Sequence, residues 1–373
     1  MRFHITPAGP APCTAEKRPC PYGGESGLEN HFDSLADAYR YFEEQMTRDG
    51  KPVLESLGAA ALTTRRAIRL ATQPPNKLCD ERIEYILELH DELREKALIQ
   101  KQLLEHLQAR NAILTEEEFS SREAAVEAIT SHLREQGVET KNLYSTDGVY
   151  TPERRALHSK ILKHFINKYK GIANGGEAVI AGGLAGAGKS TALEWRIGKY
   201  AVINPDDVKE YMAERGLMPR ITGLSPMEAS TLVHEEASDI SQALLRTFIA
   251  QKKNVMLDVT LGGLSSARRK IEMLSREGYK IEGNFVDITL EVSEERGRAR
   301  YRRSMNEYIR GANSIGGRPV PVGVNHPSTR QQNSANADNF IALCRSGVFS
   351  KIVVYDNSGT APAMVDFGQF AKD

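Results

Sequence analysis

The sequence has no excess of either charge. Its 49 Lys and Arg residues balance 49 Asp and Glu residues, so the formal net charge is zero. Without a basic surplus there is no global attraction to nucleic acid or to an anionic membrane, and a long nucleic-acid substrate is disfavoured. No apolar run approaches the roughly 20 residues of a membrane span, and the N-terminus lacks a signal-peptide pattern. We therefore expect a cytoplasmic chain with no membrane contact.

Cysteine is also scarce. The chain has four cysteines, at positions 13, 20, 79 and 344, which are too scattered for a disulfide framework and fit a reducing compartment. A zinc site built on Cys13, Cys20 and His31 would lack both the C-x-x-C spacing and a fourth ligand. The sequence therefore disfavours zinc.

The first 150 residues carry little strand signal. Residues 1–50 form a Pro- and Gly-rich segment in which we predict one helix, beginning at Asp33. Residues 51–149 form a helical region: one helix ends before Pro74, a second is predicted from Ile83 to Leu107, and a third begins at a capping box, Thr115 with Glu118. A structural module and a regulatory or partner-binding segment both fit this periodicity.

From residue 150 onward short apolar runs alternate with longer helical segments. A helix is predicted to begin at Pro152, and the apolar runs at 178–181, 200–203, 255–257, 281–286 and 351–355 are predicted strands. This alternation indicates an α/β domain over residues 150–373, with a mainly parallel sheet flanked by helices. The fold class predicted for the whole chain is this domain preceded by an α-helical N-terminal region.

A glycine-rich turn joins the first of these strands to the next helix. The segment from Gly183 to Ser190 fits the pattern G-x-x-x-x-G-K-[ST], a phosphate-binding loop. Glycine allows positive φ and close approach of phosphate oxygens to backbone N–H groups, and the helix that follows favours an anion. We predict a nucleoside-triphosphate site formed by the following residues: Gly183, Gly186, Ala187, Gly188, Lys189, Ser190 and Thr191. Lys189 would reach the β- and γ-phosphates, and Ser190 would offer its hydroxyl to Mg²⁺.

Acidic residues follow two other predicted strands. Asp206 and Asp207 stand in the first turn of a helix predicted to start at Pro205. A carboxylate here could be a general base, or it could cap the helix and complement its dipole; both interpretations stay open. Asp258 ends an apolar strand, where a carboxylate could bind Mg²⁺. Because ligands bind at the carboxyl ends of parallel strands, these groups are expected to share one edge.

Arginine is concentrated near residue 300. Six arginines lie between Glu291 and Arg310, and Arg318 follows in a turn-rich loop. They could pair with neighbouring glutamates or clamp phosphates with their planar guanidinium groups. A capping box, Ser225 with Glu228, is predicted to open a long helix that contains the triplet His234-Glu235-Glu236. The triplet is not H-E-x-x-H, so a zinc peptidase is not supported.

Together these motifs resemble the zeta-toxin family of P-loop kinases. The resemblance covers about residues 150–357 and rests on the order of six segments: Thr151–His158, Gly183–Thr191, Ile203–Lys209, His234–Ser238, Asn254–Leu261 and Val354–Ser358. It implies a kinase that uses ATP or GTP with Mg²⁺, and for several members the acceptor is a hydroxyl of UDP-N-acetylglucosamine. Loss of that cell-wall precursor would explain a toxin role.

The resemblance also implies roles for individual residues. By position, Asp206 would activate the acceptor hydroxyl, Lys189 would bind phosphate, and Ser190 and Asp258 would bind the metal. Asp258 stands where glutamate is frequent, which keeps the charge on a shorter arm. The remaining expected contacts are with phosphates, by Arg300, Arg303 as second choice and Arg318, and with the acceptor, by Asn204, Asp207, Glu235 or Glu236, and Thr260.

Partners and rival functions stay open. Classical members of the family are inhibited by a separate three-helix antitoxin, and others resemble chains with a cis-acting inhibitory segment, so the helices in residues 52–137 could inhibit the kinase or support an inhibitor. The rival acceptors are an NAD-like dinucleotide, a nucleic-acid end or an antibiotic. A chain that binds nucleotide as an interaction protein without transferring phosphate is the rival from another class.

Overall fold

The computed structural model describes residues 3–6, 9–12, 31–32, 76–319, 335–359 and 361–371. They belong to two compact units, one within residues 1–77 and 141–159 and the other within residues 78–140 and 160–373. The predicted helices at Asp33 and before Pro74, and the cysteines at positions 13 and 20, lie outside the described residues. The domain boundaries predicted near residues 50 and 150 stay a prediction. In the described part of the chain, no helix combines the length and apolarity that crossing a membrane requires.

The N-terminal strands form a small antiparallel sheet. Strand β1 (Phe3–Thr6) lies between β2 (Gly9–Pro12) and β3 (His31–Phe32), with Phe3 paired to Pro12 on one side and to Phe32 on the other. The proline-bearing strand β2 is at an edge, which is where a residue without a backbone N–H is tolerated.

Three helices follow: α1 (Lys77–Leu89), α2 (Asp91–Arg110) and α3 (Glu116–Glu135). The helix predicted from Ile83 to Leu107 is divided at His90, whose φ of −125° and ψ of 87° are not helical. The capping box of α3 is confirmed: the Glu118 N–H donates to Thr115 Oγ1 (3.2 Å) and the Thr115 N–H donates to Glu118 Oε2 (2.8 Å). Gly137 follows this helix at φ +73°.

A short hairpin leads to the next long helix. Helix α4 (Thr140–Tyr144) is followed by β4 (Ser145–Thr146) and β5 (Val149–Tyr150), joined by Asp147 and Gly148, both at positive φ. An Asp-Gly pair with two positive φ angles is the usual two-residue hairpin turn. Helix α5 (Pro152–Lys168) begins at the predicted proline.

The second unit contains a six-stranded sheet. Its strands are β6 (Glu177–Gly182), β7 (Ala201–Ile203), β8 (Val255–Val259), β9 (Lys280–Asp287), β10 (Lys351–Asp356) and β11 (Ala363–Val365). The order is β11-β10-β9-β6-β8-β7; β10 to β7 are parallel, and only β11 is antiparallel. All five predicted strands are confirmed. Residues 178–182 of β6 are buried because helices cover both faces of a parallel sheet.

The remaining helices connect these strands. They are α6 (Lys189–Ala192), α7 (Pro205–Glu214), α8 (His234–Ala250), α9 (Leu264–Arg276), α10 (Leu290–Ile309), α11 (Ala335–Arg345) and α12 (Phe367–Phe370). The helix after the glycine-rich loop is a single turn, followed by a 3₁₀ turn at Glu194–Arg196. The capping box of Ser225 and Glu228 is confirmed, but it opens a 3₁₀ segment, Pro226–Val233, and α8 begins only at His234.

Helices α2 and α3 pack on α10 through an apolar cluster. It contains Leu104 and Leu107 of α2, Leu114, Phe119 of α3, and Tyr301, Met305 and Ile309 of α10. At its border Arg298 pairs with Glu116 and Glu123, and Arg302 pairs with Glu116. Helices α2 and α3 are therefore part of the same packed unit as the α/β region.

The capping box of α3 yields a stability prediction. Thr115→Ala removes the hydroxyl that accepts the Glu118 N–H, so it should lower the free energy of unfolding by about 1 kcal/mol. Urea unfolding followed by circular dichroism measures this loss. The control on the same helix is Ser131→Ala, which removes a hydroxyl bonded only to Glu127 and should change stability little. Equal losses in the two variants would contradict the assigned cap.

Candidate active site

The glycine-rich loop takes the backbone conformation that its sequence predicts. Gly183, Gly186 and Gly188 have φ values of +141°, +85° and +80°. A Cβ atom at Gly183 would lie 2.5 Å from the Val286 carbonyl oxygen, and one at Gly186 would lie 2.8 Å from the Ser293 carbonyl oxygen. Glycine is therefore required here by both backbone angle and space.

Two side chains from distant elements hold the loop. The Ser293 hydroxyl, in the first turn of α10, donates to the Ala185 carbonyl. The Asn357 amide, directly after β10, donates to the Ala187 carbonyl at 2.7 Å, and a Cβ at Gly188 would overlap that amide. Asn357 is buried, and sequence reasoning gave it no role although it follows a predicted strand. Ala187 is itself fully buried, whereas Ser190 and Thr191 are exposed.

Lys189 lies across this loop. Its Nζ donates to the Gly183 and Leu184 carbonyl oxygens, both at 3.0 Å, and lies 3.4 Å from Asp258 Oδ1 at the end of β8. The other Asp258 oxygen accepts a hydrogen bond from Asn204 Nδ2 at 3.0 Å. The parallel pairing of β6 with β8 and of β8 with β7 brings these three residues to one edge of the sheet.

Asp206 is in the first turn of α7, and the helix cap is its neighbour Asn204. The Asp206 N–H donates to Asn204 Oδ1 at 2.9 Å, so capping does not occupy the Asp206 carboxylate. That carboxylate pairs with Lys209 Nζ (3.1 Å) and with the Arg318 guanidinium. Burial by itself would raise the pKa of Asp206, but the charges of Arg318 and Lys209 outweigh it and lower the pKa below its usual value.

The adjacent Asp207 has the opposite character. Burial raises the pKa of Asp207 to about 6, with further contributions from Glu210, Asp258 and Asp206, while Lys168 partly opposes the rise. Burial likewise raises the pKa of Glu210. Two neighbouring carboxylates with pKa values shifted apart are typical of a functional site.

The structure distinguishes the crowded arginines from one another. Arg298 and Arg302 are engaged with α3, as described above. Arg300 is exposed. Partial burial first and then the charge of Arg318 lower its pKa, while the charges of Asp206, Glu210 and Asp258 oppose that change, so Arg300 is electrostatically coupled to the cluster. Arg303 lines a shallow groove of about 410 Å³ with Phe119 and Glu116, so the structure does not place it with Arg300, and its proposed role stays a prediction.

The remaining predicted contacts lie around this cluster. Glu235 is exposed and electrostatically coupled to Lys209, whereas Glu236, one residue later, is fully buried. Thr260 follows β8, where its carbonyl accepts a hydrogen bond from Asn336. Of the two glutamates, Glu235 is therefore better placed for a ligand. Lys209 and Glu210 join the site although sequence reasoning assigned them no role; their i+3 and i+4 spacing from Asp206 was the available signal.

The donor groups suit a magnesium ion that arrives with phosphates. Among the described residues no cluster of three or more His, Cys, Asp or Glu side chains is placed to hold a metal ion. Mg²⁺ in nucleotide sites needs only one or two protein oxygens, because phosphate and water supply the rest. The Ser190 hydroxyl and the Asp258 carboxylate are oxygen donors of the required kind, so they would hold the ion.

This geometry defines the class of the protein: an α/β protein with a phosphate-binding loop and a charged cluster at the carboxyl ends of β6, β7 and β8. The sequence model of the Zeta toxin family matches residues 174–363, which are 190 of the 373 residues. The chain belongs to the Zeta toxin family. The predicted resemblance and the predicted fold class are both confirmed.

Several solved structures are similar to the chain. One, from the PezAT chromosomal toxin–antitoxin system of Streptococcus pneumoniae, has 16% identity and a TM-score of 0.40, and the match covers 57% of this chain and 78% of the other. Another, AvrRxo1-ORF1:AvrRxo1-ORF2 with sulphate ions, has 18% identity and a TM-score of 0.40, covering 61% and 70%. Because both TM-scores are below 0.5, the family assignment rests on the family match. No curated protein matches the chain.

The packing of Gly188 gives a prediction about the loop. Gly188→Ala should weaken ATP binding at least about tenfold, because its Cβ would displace the Asn357 amide that holds the loop. Isothermal titration calorimetry with ATP measures the change. The control is Gly198→Ala, since Gly198 also has positive φ (+83°) but nothing lies within 4 Å of its Cβ position. Equal affinity of the two variants would contradict the steric role of Gly188.

The raised pKa of Asp207 predicts a pH dependence of stability. Between about pH 4 and 6 the folded state holds a proton on Asp207 more readily than the unfolded state, so this carboxylate destabilises the fold increasingly as pH rises through that range. Asp207→Asn should therefore stabilise the chain at pH 8 by about 1–2 kcal/mol, after allowance for partial exposure, and have almost no effect at pH 4. Urea unfolding at both pH values tests this. A difference independent of pH would show that Asp207 titrates normally.

Proposed function

We propose that this protein is a kinase that transfers the γ-phosphoryl group of ATP or GTP to a hydroxyl of a nucleotide sugar of the UDP-N-acetylglucosamine type, and that it acts as the toxin of a toxin–antitoxin pair. One observation carries the proposal. A continuous series of contacts joins the phosphate-binding lysine to the candidate base: Lys189 to Asp258 (3.4 Å), Asp258 to Asn204 (3.0 Å) and Asn204 to Asp206 (2.9 Å). A donor phosphate and an acceptor hydroxyl could therefore meet at this edge.

Each group has a distinct part in this reaction. The loop N–H groups and Lys189 would hold the β- and γ-phosphates, and Mg²⁺ bound through Ser190 and Asp258 would supply further positive charge. The acceptor oxygen would form a new bond to the γ-phosphorus as the bond from that phosphorus to the bridging oxygen of the nucleoside diphosphate breaks. Asp206 would accept the hydroxyl proton, and Arg300 and Arg318 would stabilise the charge on the transferring group.

The lowered pKa of Asp206 limits its strength as a base. A carboxylate paired with two cations accepts a proton only weakly, so its main contribution would be to orient the hydroxyl. This agrees with phosphoryl transfer in general, where positioning and electrostatic stabilisation dominate. Asn204, Asp207, Glu235 and Thr260 surround the cluster and are the proposed acceptor contacts.

The family assignment supports the toxin role and, with it, an antitoxin partner. Alternatively, the helices in residues 52–137 would inhibit the kinase in cis, in place of a separate antitoxin. The packing of α2 and α3 on α10 means that such inhibition would come from helices integral to this unit. Removing residues 1–149 would leave the buried Glu228 without its Arg122 partner, so the test needs substitutions in the full chain.

Two substitutions test the proposed reaction. Lys189→Ala should weaken ATP binding strongly and abolish transfer, while Asp206→Asn should bind ATP but lower the transfer rate by at least about a hundredfold. The full chain is incubated with ATP, Mg²⁺ and UDP-N-acetylglucosamine, and mass spectrometry detects a product with one added phosphate. Lys199→Ala, which changes an exposed lysine, is the control.

The same assay decides between the rivals. Parallel reactions with NAD and with an oligonucleotide bearing a free 5′ hydroxyl show whether another acceptor gains the phosphate. ATP turnover without any phosphorylated acceptor would contradict the kinase and favour a nucleotide-dependent interaction protein. Near-normal transfer by Asp206→Asn would contradict the role of Asp206 alone.

A further inference from the structure

A fully buried ion pair lies away from the charged cluster. Arg122 of α3 and Glu228 of the 3₁₀ segment both have side chains that are 0% exposed, and Arg122 Nη2 lies 2.5 Å from Glu228 Oε2. Arg122 Nε donates to Glu228 Oε1 at 2.7 Å. Nη1 donates to Gln100 Oε1, and Nη2 also donates to the Gly223 carbonyl, both at 3.1 Å. The guanidinium is thus held by three elements of the chain.

Glu228 is in turn bound on its other side. The Tyr301 hydroxyl, from α10, donates to Glu228 Oε1 at 2.5 Å, and the Ser225 N–H donates to Glu228 Oε2 at 2.7 Å. Burial, together with the charge of Glu228, raises the pKa of Tyr301 well above its usual value, so the hydroxyl stays protonated and remains a donor. Both oxygens of this carboxylate are therefore satisfied, as a buried charge requires.

The same short segment holds the loop that leads to Arg318. The Met227 N–H donates to the Ile315 carbonyl at 2.9 Å. Gly316 has φ +81° and its Cβ position is filled by Ser225, while a Cβ at Gly317 would lie 2.6 Å from Tyr301. The Gly317 N–H reaches Met305 Sδ at 3.1 Å. Residues 315–317 therefore contact Ser225 and Tyr301, which both donate hydrogen bonds to Glu228, and Met227, the residue before it.

The next residue along this loop is Arg318, which pairs with Asp206. We propose that Glu228, clamped by Arg122 and Tyr301, is a positioning residue that holds residues 315–317 so that Arg318 meets Asp206. Helix α3 would then contribute to the geometry of the site without contacting a ligand. The catalytic consequence of this inference rests on the proposed kinase function, but the mechanical coupling does not.

This network has one arrangement in which both buried charges are paired. Moving a charged carboxylate away from a buried guanidinium leaves two uncompensated charges, so the pair strongly resists displacement. Tyr301 and Ser225 transmit that fixed position to the loop by direct packing. A weakened network should let the loop open locally before the whole unit unfolds.

Hydrogen–deuterium exchange of the ligand-free full chain tests the coupling. In Tyr301→Phe the ring that packs on Gly317 stays and only the hydrogen bond to Glu228 is lost, so amides of residues 311–319 should exchange about tenfold faster. Glu228→Gln should show the same effect more strongly. The control is Tyr279→Phe, which removes a buried hydroxyl bonded to the Phe248 and Lys253 carbonyls elsewhere in the same unit. Exchange at 311–319 that is unchanged in Tyr301→Phe, or equally faster in the control, would overturn the proposal.

Kinetics of phosphate transfer then separate positioning from general destabilisation. If transfer is detected for the unmodified chain, Tyr301→Phe should lower kcat about tenfold with little change in KM for ATP. In the pH profile of kcat for this variant, the acid limb should move to higher pH, because a displaced Arg318 no longer lowers the pKa of Asp206. A fall in kcat with an unshifted pH profile would contradict the route through Arg318. Absence of any transfer by the unmodified chain would contradict the kinase, while the exchange result would still decide the coupling.

Discussion

The buried pair of Arg122 and Glu228 is the interaction on which the second unit depends most. Neither charge is exposed, and each would be costly to bury alone, so the helix that carries Arg122 and the segment that carries Glu228 must stay together. The apolar cluster between α2, α3 and α10 supplies the hydrophobic part of the same contact. These contacts join helices α2 and α3 to the α/β region and fix the orientation of α10 against them.

At the site, electrostatic balance has a similar ordering effect. Parallel strands β6, β7 and β8 bring a lysine and three carboxylates to one edge, where two of the carboxylates are paired with cations. Lys189 lies between loop carbonyls and Asp258, and Asp206 lies between Lys209 and Arg318. Among the described residues no cation forms an ion pair with Asp207, and burial raises its pKa instead. Two adjacent aspartates thus have pKa values shifted in opposite directions, because their surroundings differ.

Local features of the fold could be predicted in detail. The capping boxes at Thr115 and Ser225, the start of α7 at Pro205 and the glycine-rich loop were all predictable because each depends on residues within one turn of another. The lengths of the helices were less predictable. The apolar pattern predicts continuous helices at His90 and before α8, but the structure has a break at His90 and a 3₁₀ segment before α8. Apolar periodicity does not indicate where tertiary contacts interrupt a helix.

By itself, the sequence determined the α/β class, the phosphate-binding loop and the residues that follow each strand. These follow from short-range patterns and from the rule that parallel strands present their carboxyl ends to one edge. Only the tertiary structure decided that Arg318 pairs with Asp206, that Asn204 rather than Asp206 caps α7, and that Asn357 holds the loop. The physical reason is that these assignments depend on which side chains from distant segments share a buried or charged environment, and charge pairing of that kind leaves no periodic signal in the sequence.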